Sequence, residues 1–127
     1  MKTISEVEQE LQNFFSPYFD CDIYYTQPDS VIFENENSFV LIDFPSGISN
    51  IVSHGKGVFL LYMYSKSIGS YHTKNIAELS EMENQFQEAL KQDQKGSICI
   101  LQQQAYTDYD ENIKFYVNIM QLQILTK

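Results

Sequence analysis

The sequence contains no arginine, and its eight basic residues are all lysines. Seventeen Asp and Glu residues outnumber them, which gives a formal net charge of −9 at pH 7. Arginine is the residue that grips phosphates and base edges through paired hydrogen bonds, so this composition argues against a protein that clamps nucleic acid. An acidic surface is compatible with a basic partner, with DNA that must slide past, or with solubility alone.

Cysteine is scarce and long apolar runs are missing. Cys21 and Cys99 lie far apart, and neither belongs to a CxxC motif or has a histidine pair nearby. We expect both to be small buried side chains in a reducing compartment. No signal-peptide core and no run of about 18 apolar residues is present. The sequence therefore predicts an intracellular protein without a membrane segment.

Catalytic and metal-binding motifs are also missing from the sequence. It has no GxSxG elbow for a nucleophile. The two histidines, His54 and His72, stand in polar connections without a second ligand at metal-binding spacing. The stretch TDYDEN, residues 107–112, lacks the spacing and the glycine of a calcium loop, so we interpret it as an acidic hairpin turn. We expect no enzyme activity and no catalytic, metal or cofactor-binding residues.

Gly55-Lys56-Gly57 is the stretch that most invites comparison with a phosphate-binding loop. A P-loop has four residues between its first glycine and the Gly-Lys pair, then Ser or Thr, then a helix. Here seven residues separate Gly47 from Gly55, Gly57 follows the lysine, and the strand-like run VFLLYMY comes next. We therefore interpret residues 45–57 as a long, mobile connection that projects from a sheet and contacts neighbours.

Hydrophobic periodicity predicts two helices. Thr3 and Glu6 form a capping box at the start of TISEVEQELQNFF, whose apolar residues recur at steps of three and four. Asn75 and Glu78 form a similar pair at the start of NIAELSEMENQFQEALKQ, and Gly96 stands where the chain leaves that helix. Each helix has one apolar stripe, so each should pack on a sheet.

The remaining apolar runs predict strands. CDIYYT, SVIFE and SFVLIDF are separated by turn-forming residues and suggest an antiparallel meander, and VFLLYMY, SICILQQQAYTDYD and IKFYVNIMQLQIL follow. The last run changes parity near Met120, which indicates a bulge or a covered second face. Residues 1–127 should form a single α+β domain. Its antiparallel or mixed sheet of about five to six strands should carry the N-terminal helix and the long helix on one face.

Tyrosine and stranded aliphatic residues indicate a protein-binding surface. Seven of the nine tyrosines fall on or beside predicted strands, where a ring with a polar tip suits a subunit interface. The polar connection 45–57 also contains three aliphatic side chains. We predict that this connection and the strand at 58–64 make protein contacts. The candidate interface residues are Ile48, Ile51, Val52, His54, Lys56, Tyr62 and Tyr64.

The order of elements resembles the tail terminator, or tail completion, proteins of long-tailed bacteriophages and prophages. The resemblance covers nearly the whole chain, through SFVLIDFPSG, GKGVFLLYMYSKS, NIAELSEMENQFQEALKQ, ICILQQQAYTDYDEN and KFYVNIMQLQIL. It implies a structural protein of the virion tail that forms a ring, typically a hexamer, on the head-proximal end of the tail tube. Such a ring stops tube growth and joins the tail to the head.

The resemblance also implies partners and a location. The partners would be further copies of the chain, the tail-tube protein and the head–tail connector proteins, in the host cytoplasm during assembly and then in the virion. DNA would pass through the ring without sequence-specific binding, which agrees with the acidic composition. Composition alone leaves another interpretation open, an acidic immunity or inhibitor protein that binds one basic toxin or enzyme one-to-one.

Overall fold

The computed structural model describes residues 3–25, 30–45, 47–92 and 98–126. The elements are α1 (Ile4–Phe15), β1 (Ile23–Tyr24), α2 (Ser30–Asn35), β2 (Ser38–Asp43), α3 (Ile48–His54), β3 (Lys56–Lys66), α4 (Ile76–Lys91), β4 (Ile98–Asp110) and β5 (Phe115–Thr126). The strands form one sheet in the order β1-β2-β3-β5-β4. β1 runs parallel to β2, and the other neighbours are antiparallel. The predicted α+β fold class is confirmed.

Both predicted helix starts are confirmed. The Thr3 hydroxyl accepts a hydrogen bond from the Glu6 amide at 3.2 Å, and the Asn75 side chain accepts one from the Glu78 amide at 3.2 Å. Each bond satisfies a backbone donor that the first turn of a helix leaves free. α4 ends at Lys91, and the side-chain amide of its C-cap residue Gln92 donates to the carbonyl oxygens of Phe14 and Ala89. The predicted stop at Gly96 lies outside the described residues.

The main core lies between the sheet and a layer made of α1, α3 and α4. At its centre the fully buried Phe15 ring stacks on Phe86 and meets Phe59 edge-on, with centroid separations of 6.3 and 6.5 Å. Burial of one such ring stabilises the fold by about 2–3 kcal/mol. Asn118, a buried polar residue of β5, donates to the Glu83 carboxylate of α4 at 2.8 Å. That bond fixes α4 on the sheet.

A second cluster lies on the opposite face, at one end of the sheet. Phe33 of α2 packs on Phe39, Tyr64 and Phe115, with ring centroids 5.3, 5.8 and 5.4 Å away. α2 is six residues long, and its described side chain in this cluster is Phe33. Among the described residues, no other helix packs on this face.

The predicted three-stranded meander is wrong. SVIFE forms the helix α2 instead of a strand, and β1 pairs in parallel with β2, through Ile23 opposite Val40. A parallel pair needs a crossover, which the segment containing α2 supplies. The predicted turn Gln27-Pro28-Asp29 lies outside the described residues.

The parity change near Met120 comes from a covered second face of β5 and not from a bulge in that strand. Met120, Leu122 and Ile124 are buried beneath the helices, and β5 pairs with β3 without interruption from Lys66 opposite Phe115 to Lys56 opposite Leu125. The irregularity in register lies in β4, between Gln102 and Gln104. In the described part of the chain, no helix is long and apolar enough to cross a membrane.

Candidate protein-interaction surface

The segment interpreted as a mobile connection is largely a helix. α3 places Ile51 in the main core with 1% of its surface exposed, and the half-buried Ile48 and Val52 pack against the same core. The prediction of a projecting arm is wrong for 48–54, because three aliphatic residues at helical spacing gain more by packing on β3 and α1. Ile51 is therefore not an accessible contact in this structure.

The two glycines around Lys56 have structural roles. Gly55 ends α3 in the left-handed conformation, with φ of 71°, and its amide donates to the Ile51 carbonyl at 2.8 Å. A Cβ on Gly57 would lie 2.5 Å from Cγ1 of Ile51, closer than real carbon contacts. Glycine at 57 thus lets α3 lie directly on the start of β3. The Gly-Lys-Gly stretch is a helix stop followed by a close packing contact.

The remaining predicted interface residues are divided between the two faces and their edges. His54 is the exposed last residue of α3, and Lys56 is the exposed first residue of β3. Tyr64 is 8% exposed and belongs to the second cluster beneath Phe33. Tyr62 is half-buried on the part of that face which α2 does not reach. An interface role for these residues stays a prediction.

The uncovered part of the sheet, which we call the open face, is a continuous surface of three strands. Its central row runs across the sheet from Tyr106 to Ile119 and Tyr62, and the next rows pair Gln121 with Leu60 and Gln123 with Val58. Leu101, Tyr106 and Val58 have 49%, 48% and 36% of their surfaces exposed. The open face consists of Val58, Leu60, Tyr62, Leu101, Gln104, Tyr106, Ile119, Gln121, Gln123 and Leu125.

None of the ten residues of the open face is charged, in a chain with 25 charged residues. Charged residues stand directly beside it: Asp43 pairs with Leu60, Lys56 with Leu125 and Asp108 with Val117. Its polar side chains bond to one another: the Tyr106 hydroxyl donates to Gln104 and Gln121, and Gln121 donates to Gln103 at 3.0 Å. Loss of charged residues and enrichment in aromatic ones distinguish the centre of an interface from ordinary surface.

In the described part of the sheet, β4 is the outermost strand on one side. Its residues 101–108 are all exposed, and its pairing partner is β5 on one side. An unpaired edge offers backbone donors and acceptors to another chain. The open face therefore continues into an edge that can extend an interface.

Burial changes the titration of the tyrosines at the margin of the open face. It raises the pKa of Tyr64 to about 12, with smaller contributions from Tyr62, Asp110 and Asp43. It also raises the pKa of Tyr62, and the charge of Asp43 adds to that effect. A phenol is neutral near pH 7 even without such a shift, and the raised pKa extends the neutral range of both tyrosines to higher pH.

Sequence reasoning found Tyr62 but missed Leu101, Tyr106 and Ile119 as members of the same surface. Leu101 and Tyr106 were missed because the irregularity at Gln103 reverses the alternation of side chains between the two faces along β4. Without it, Leu101 and Tyr106 would point to opposite faces. Ile119 lies at the border of the second cluster, against which it packs half-buried, and nothing in the sequence separated it from the buried residues of β5.

The other candidate groups do not assemble into a chemical site. Within the described residues, no three His, Cys, Asp or Glu side chains are placed to hold a metal ion. The acidic turn is confirmed as a turn, in which the Asp110 carboxylate accepts from the Asn112 amide at 3.0 Å. Cys21 and Cys99 are free and half-buried, so the prediction that both are buried holds only in part.

One acidic group lies beside β1. The Tyr24 hydroxyl donates to the Glu36 carboxylate at 3.2 Å. Burial and a hydrogen bond with Asp22 raise the pKa of Glu36. Two carboxyls and a phenol at a sheet edge are a local packing arrangement, and no third ligand completes it.

Compared with models of known protein families and with curated protein sequences, the chain matches neither.

Proposed function

We propose that this protein is a structural assembly subunit that binds further copies of itself through the open face, as a tail terminator of a phage or prophage does. The observation that carries the proposal is an uncharged, partly aromatic sheet face on which none of the described helices packs. Exposed apolar surface of this kind marks a binding site, because water contact with it is unfavourable.

The distribution of charge supports a second copy as the occupant. Each copy carries a formal charge of −9, so two copies repel wherever their carboxylates meet. The open face has none of its own, and it is the surface where that repulsion is weakest. An inhibitor of a basic toxin would instead use its carboxylates for contact. The helix layer carries the exposed carboxylates of Glu6, Glu81, Glu83 and Glu88.

A closed ring needs a second, different surface on each copy. We assign this second surface to the exposed end of α3. His54 and Lys56 lie there beside the half-buried Ile48 and Val52, and all four are among the interface residues predicted from the sequence. The order α1, β2, β3, α4, β4 and β5 agrees with the resemblance and supports the tail assignment, whereas α2 and α3 replace the meander strand and the loose arm that the resemblance also included. The proposed location is the host cytoplasm during assembly and then the virion tail.

The experiment compares two variants of the open face with one matched control. Leu101→Glu and Tyr106→Glu each place a carboxylate on the open face at a position about half exposed, so folding should change little. Tyr71→Glu makes the same kind of change at a residue 92% exposed and outside the face. Native mass spectrometry and sedimentation give the oligomeric state. Negative-stain microscopy scores rings and capped ends after each protein is mixed with tail tubes purified from induced source cells.

We expect the native protein and Tyr71→Glu to form rings, free or on tube ends, and the two open-face variants to weaken assembly by about tenfold or more. Circular dichroism checks that all variants are folded. A native protein that neither self-associates nor caps tubes would refute the proposal. A stoichiometric complex with one basic protein would establish the inhibitor interpretation instead.

A further inference from the structure

A cleft of about 450 Å³ lies at the other end of the sheet, away from the open face. α2 forms one wall, the connection after β3 forms a second, and the turn between β4 and β5 forms a third. The lining residues that matter here are Phe33, Lys66, Gly69, His72, Ile113 and Lys114. The assembly proposal uses none of these residues.

Hydrogen bonds between the walls hold the cleft in shape. The Ser67 amide donates to the Lys114 carbonyl at 2.9 Å, which joins the connection after β3 to the β4–β5 turn. Ile68 and Thr73 exchange two backbone bonds of 2.8 and 2.9 Å, and the Tyr116 hydroxyl donates to the His72 carbonyl at 3.0 Å. A cleft that is already formed loses little conformational entropy when a ligand binds.

Two lining residues have an uncommon backbone conformation. His72 and Lys114 have φ of 52° and 61°, in the left-handed region that residues with a Cβ rarely adopt. Among the described residues these are the non-glycine positions with positive φ, and both line the same cleft. Such conformations persist where the surrounding structure fixes them, and they often occur at ligand sites.

The charge of the cleft is opposite to that of the molecule. Lys66 and Lys114 line it, and Glu34 is the one carboxylate among its described lining residues. No carboxylate in the described part of the chain forms an ion pair with either lysine. Two unpaired cations thus line one cleft in a protein of net charge −9. Phe33 and Ile113, which pack against the second cluster, add an apolar wall.

We propose that this cleft binds an organic anion, with its carboxylate beside Lys66 and Lys114 and its apolar group against Phe33 and Ile113. The lysines supply charge, and the apolar wall supplies the contact area that a bare inorganic ion does not need. Two sources share this chemistry, a small aromatic acid and the C-terminal residue of a polypeptide that ends in an apolar side chain.

The test uses phenylacetate as the probe and phenylacetamide as its neutral counterpart. Ligand-observed saturation-transfer NMR suits both a monomer and a ring, so the result does not depend on the assembly proposal. We expect phenylacetate to bind with Kd of about 1 mM, as for other ligands of this size. Phenylacetamide should bind at least about fivefold more weakly. Acetyl-Gly-Phe with a free carboxylate represents the C-terminus of a polypeptide. Tighter binding of phenylacetate would indicate a small aromatic acid as the ligand, and tighter binding of acetyl-Gly-Phe would indicate a polypeptide C-terminus.

Lys66→Gln and Lys114→Asn remove the two cations, and asparagine tolerates the left-handed backbone at 114. Each should weaken phenylacetate binding about fivefold, whereas Lys91→Gln, which removes an exposed cation on α4, should leave it unchanged. Equal binding of phenylacetate and phenylacetamide would overturn the proposal. So would unaltered phenylacetate binding in both Lys66→Gln and Lys114→Asn, with their folding checked by circular dichroism.

Discussion

Gly57→Ala is the substitution that tests the structural interpretation of the Gly-Lys-Gly stretch. The backbone of Gly57 is not in the left-handed region, so alanine meets no conformational barrier there. In open surroundings the change would stabilise the protein by about 0.4–1 kcal/mol, because alanine restricts the unfolded chain. The packing of α3 on β3 should reverse that sign.

The magnitude follows from one distance. The new Cβ would lie 2.5 Å from Cγ1 of Ile51, a buried side chain that cannot swing away into water. Overpacking of this kind costs about 1–3 kcal/mol. We expect a net loss of about 1–2 kcal/mol after the entropic gain is subtracted. The midpoint of thermal unfolding should fall by about 3–6 °C.

Urea unfolding followed by far-ultraviolet circular dichroism measures the change. Ile51→Ala removes Cγ1 and Cδ1, after which Cβ of residue 51 is the nearest of the contacting atoms, at 3.7 Å. The double variant should therefore be more stable than the sum of the two single changes predicts, by about 1 kcal/mol or more. Gly69→Ala is the control, since its φ is 74° with no atom within 4 Å, and it should show no coupling to Ile51. A neutral or stabilising Gly57→Ala would refute the reasoning.

Three further predictions concern single groups. Asn75→Ala removes the cap of α4 and should lower the free energy of unfolding by about 1 kcal/mol, measured in urea, whereas Asn75→Asp should retain most of it. The pKa of Tyr64 is raised to about 12, so its stabilising neutral form is intact below about pH 10 and stability should fall between pH 10 and 12. Tyr64→Phe should flatten that decline in pH-dependent unfolding. Burial raises the pKa of the Cys21 thiol to about 12, so at about pH 8 its alkylation, followed by mass spectrometry, should be about 100-fold or more slower than in urea. Equal rates in the folded and unfolded protein would contradict that environment.

The sequence was sufficient for elements with a long and regular apolar pattern. α1 and α4 each have a capping pair and an apolar stripe several turns long, and both were predicted with their starts. The long apolar runs VFLLYMY and IKFYVNIMQLQIL were predicted to be strands, and they form most of β3 and β5. Long elements succeed because many residues contribute to one periodic signal.

Short segments were predicted wrongly because a short apolar run is compatible with both a helix and a strand. SVIFE is rich in β-branched residues, yet it forms α2 and brings Phe33 over the second cluster. Ile48, Ile51 and Val52 have helical spacing, and the surrounding Gly and Ser residues concealed it. Of the open face, the sequence indicated the part on the strand at 58–64, and its full outline depends on the irregularity at Gln103, which no sequence pattern showed.

The salt dependence of binding should distinguish a second copy of the chain from a basic protein as the partner, because the carboxylates lie outside the open face. In a ring, the contact would be made by an uncharged face, while the net charge of −9 on each copy opposes association. Salt screens that repulsion over about 8–10 Å and takes nothing from the apolar contact, so self-association should strengthen as salt rises from about 0.05 to 0.5 M. A complex between the acidic helix layer and a basic protein would weaken over the same range, because screening removes its attraction. Sedimentation at three salt concentrations shows whether self-association strengthens or weakens as salt rises. A decrease in self-association with salt would place charged groups inside the contact and exclude the open face as its centre.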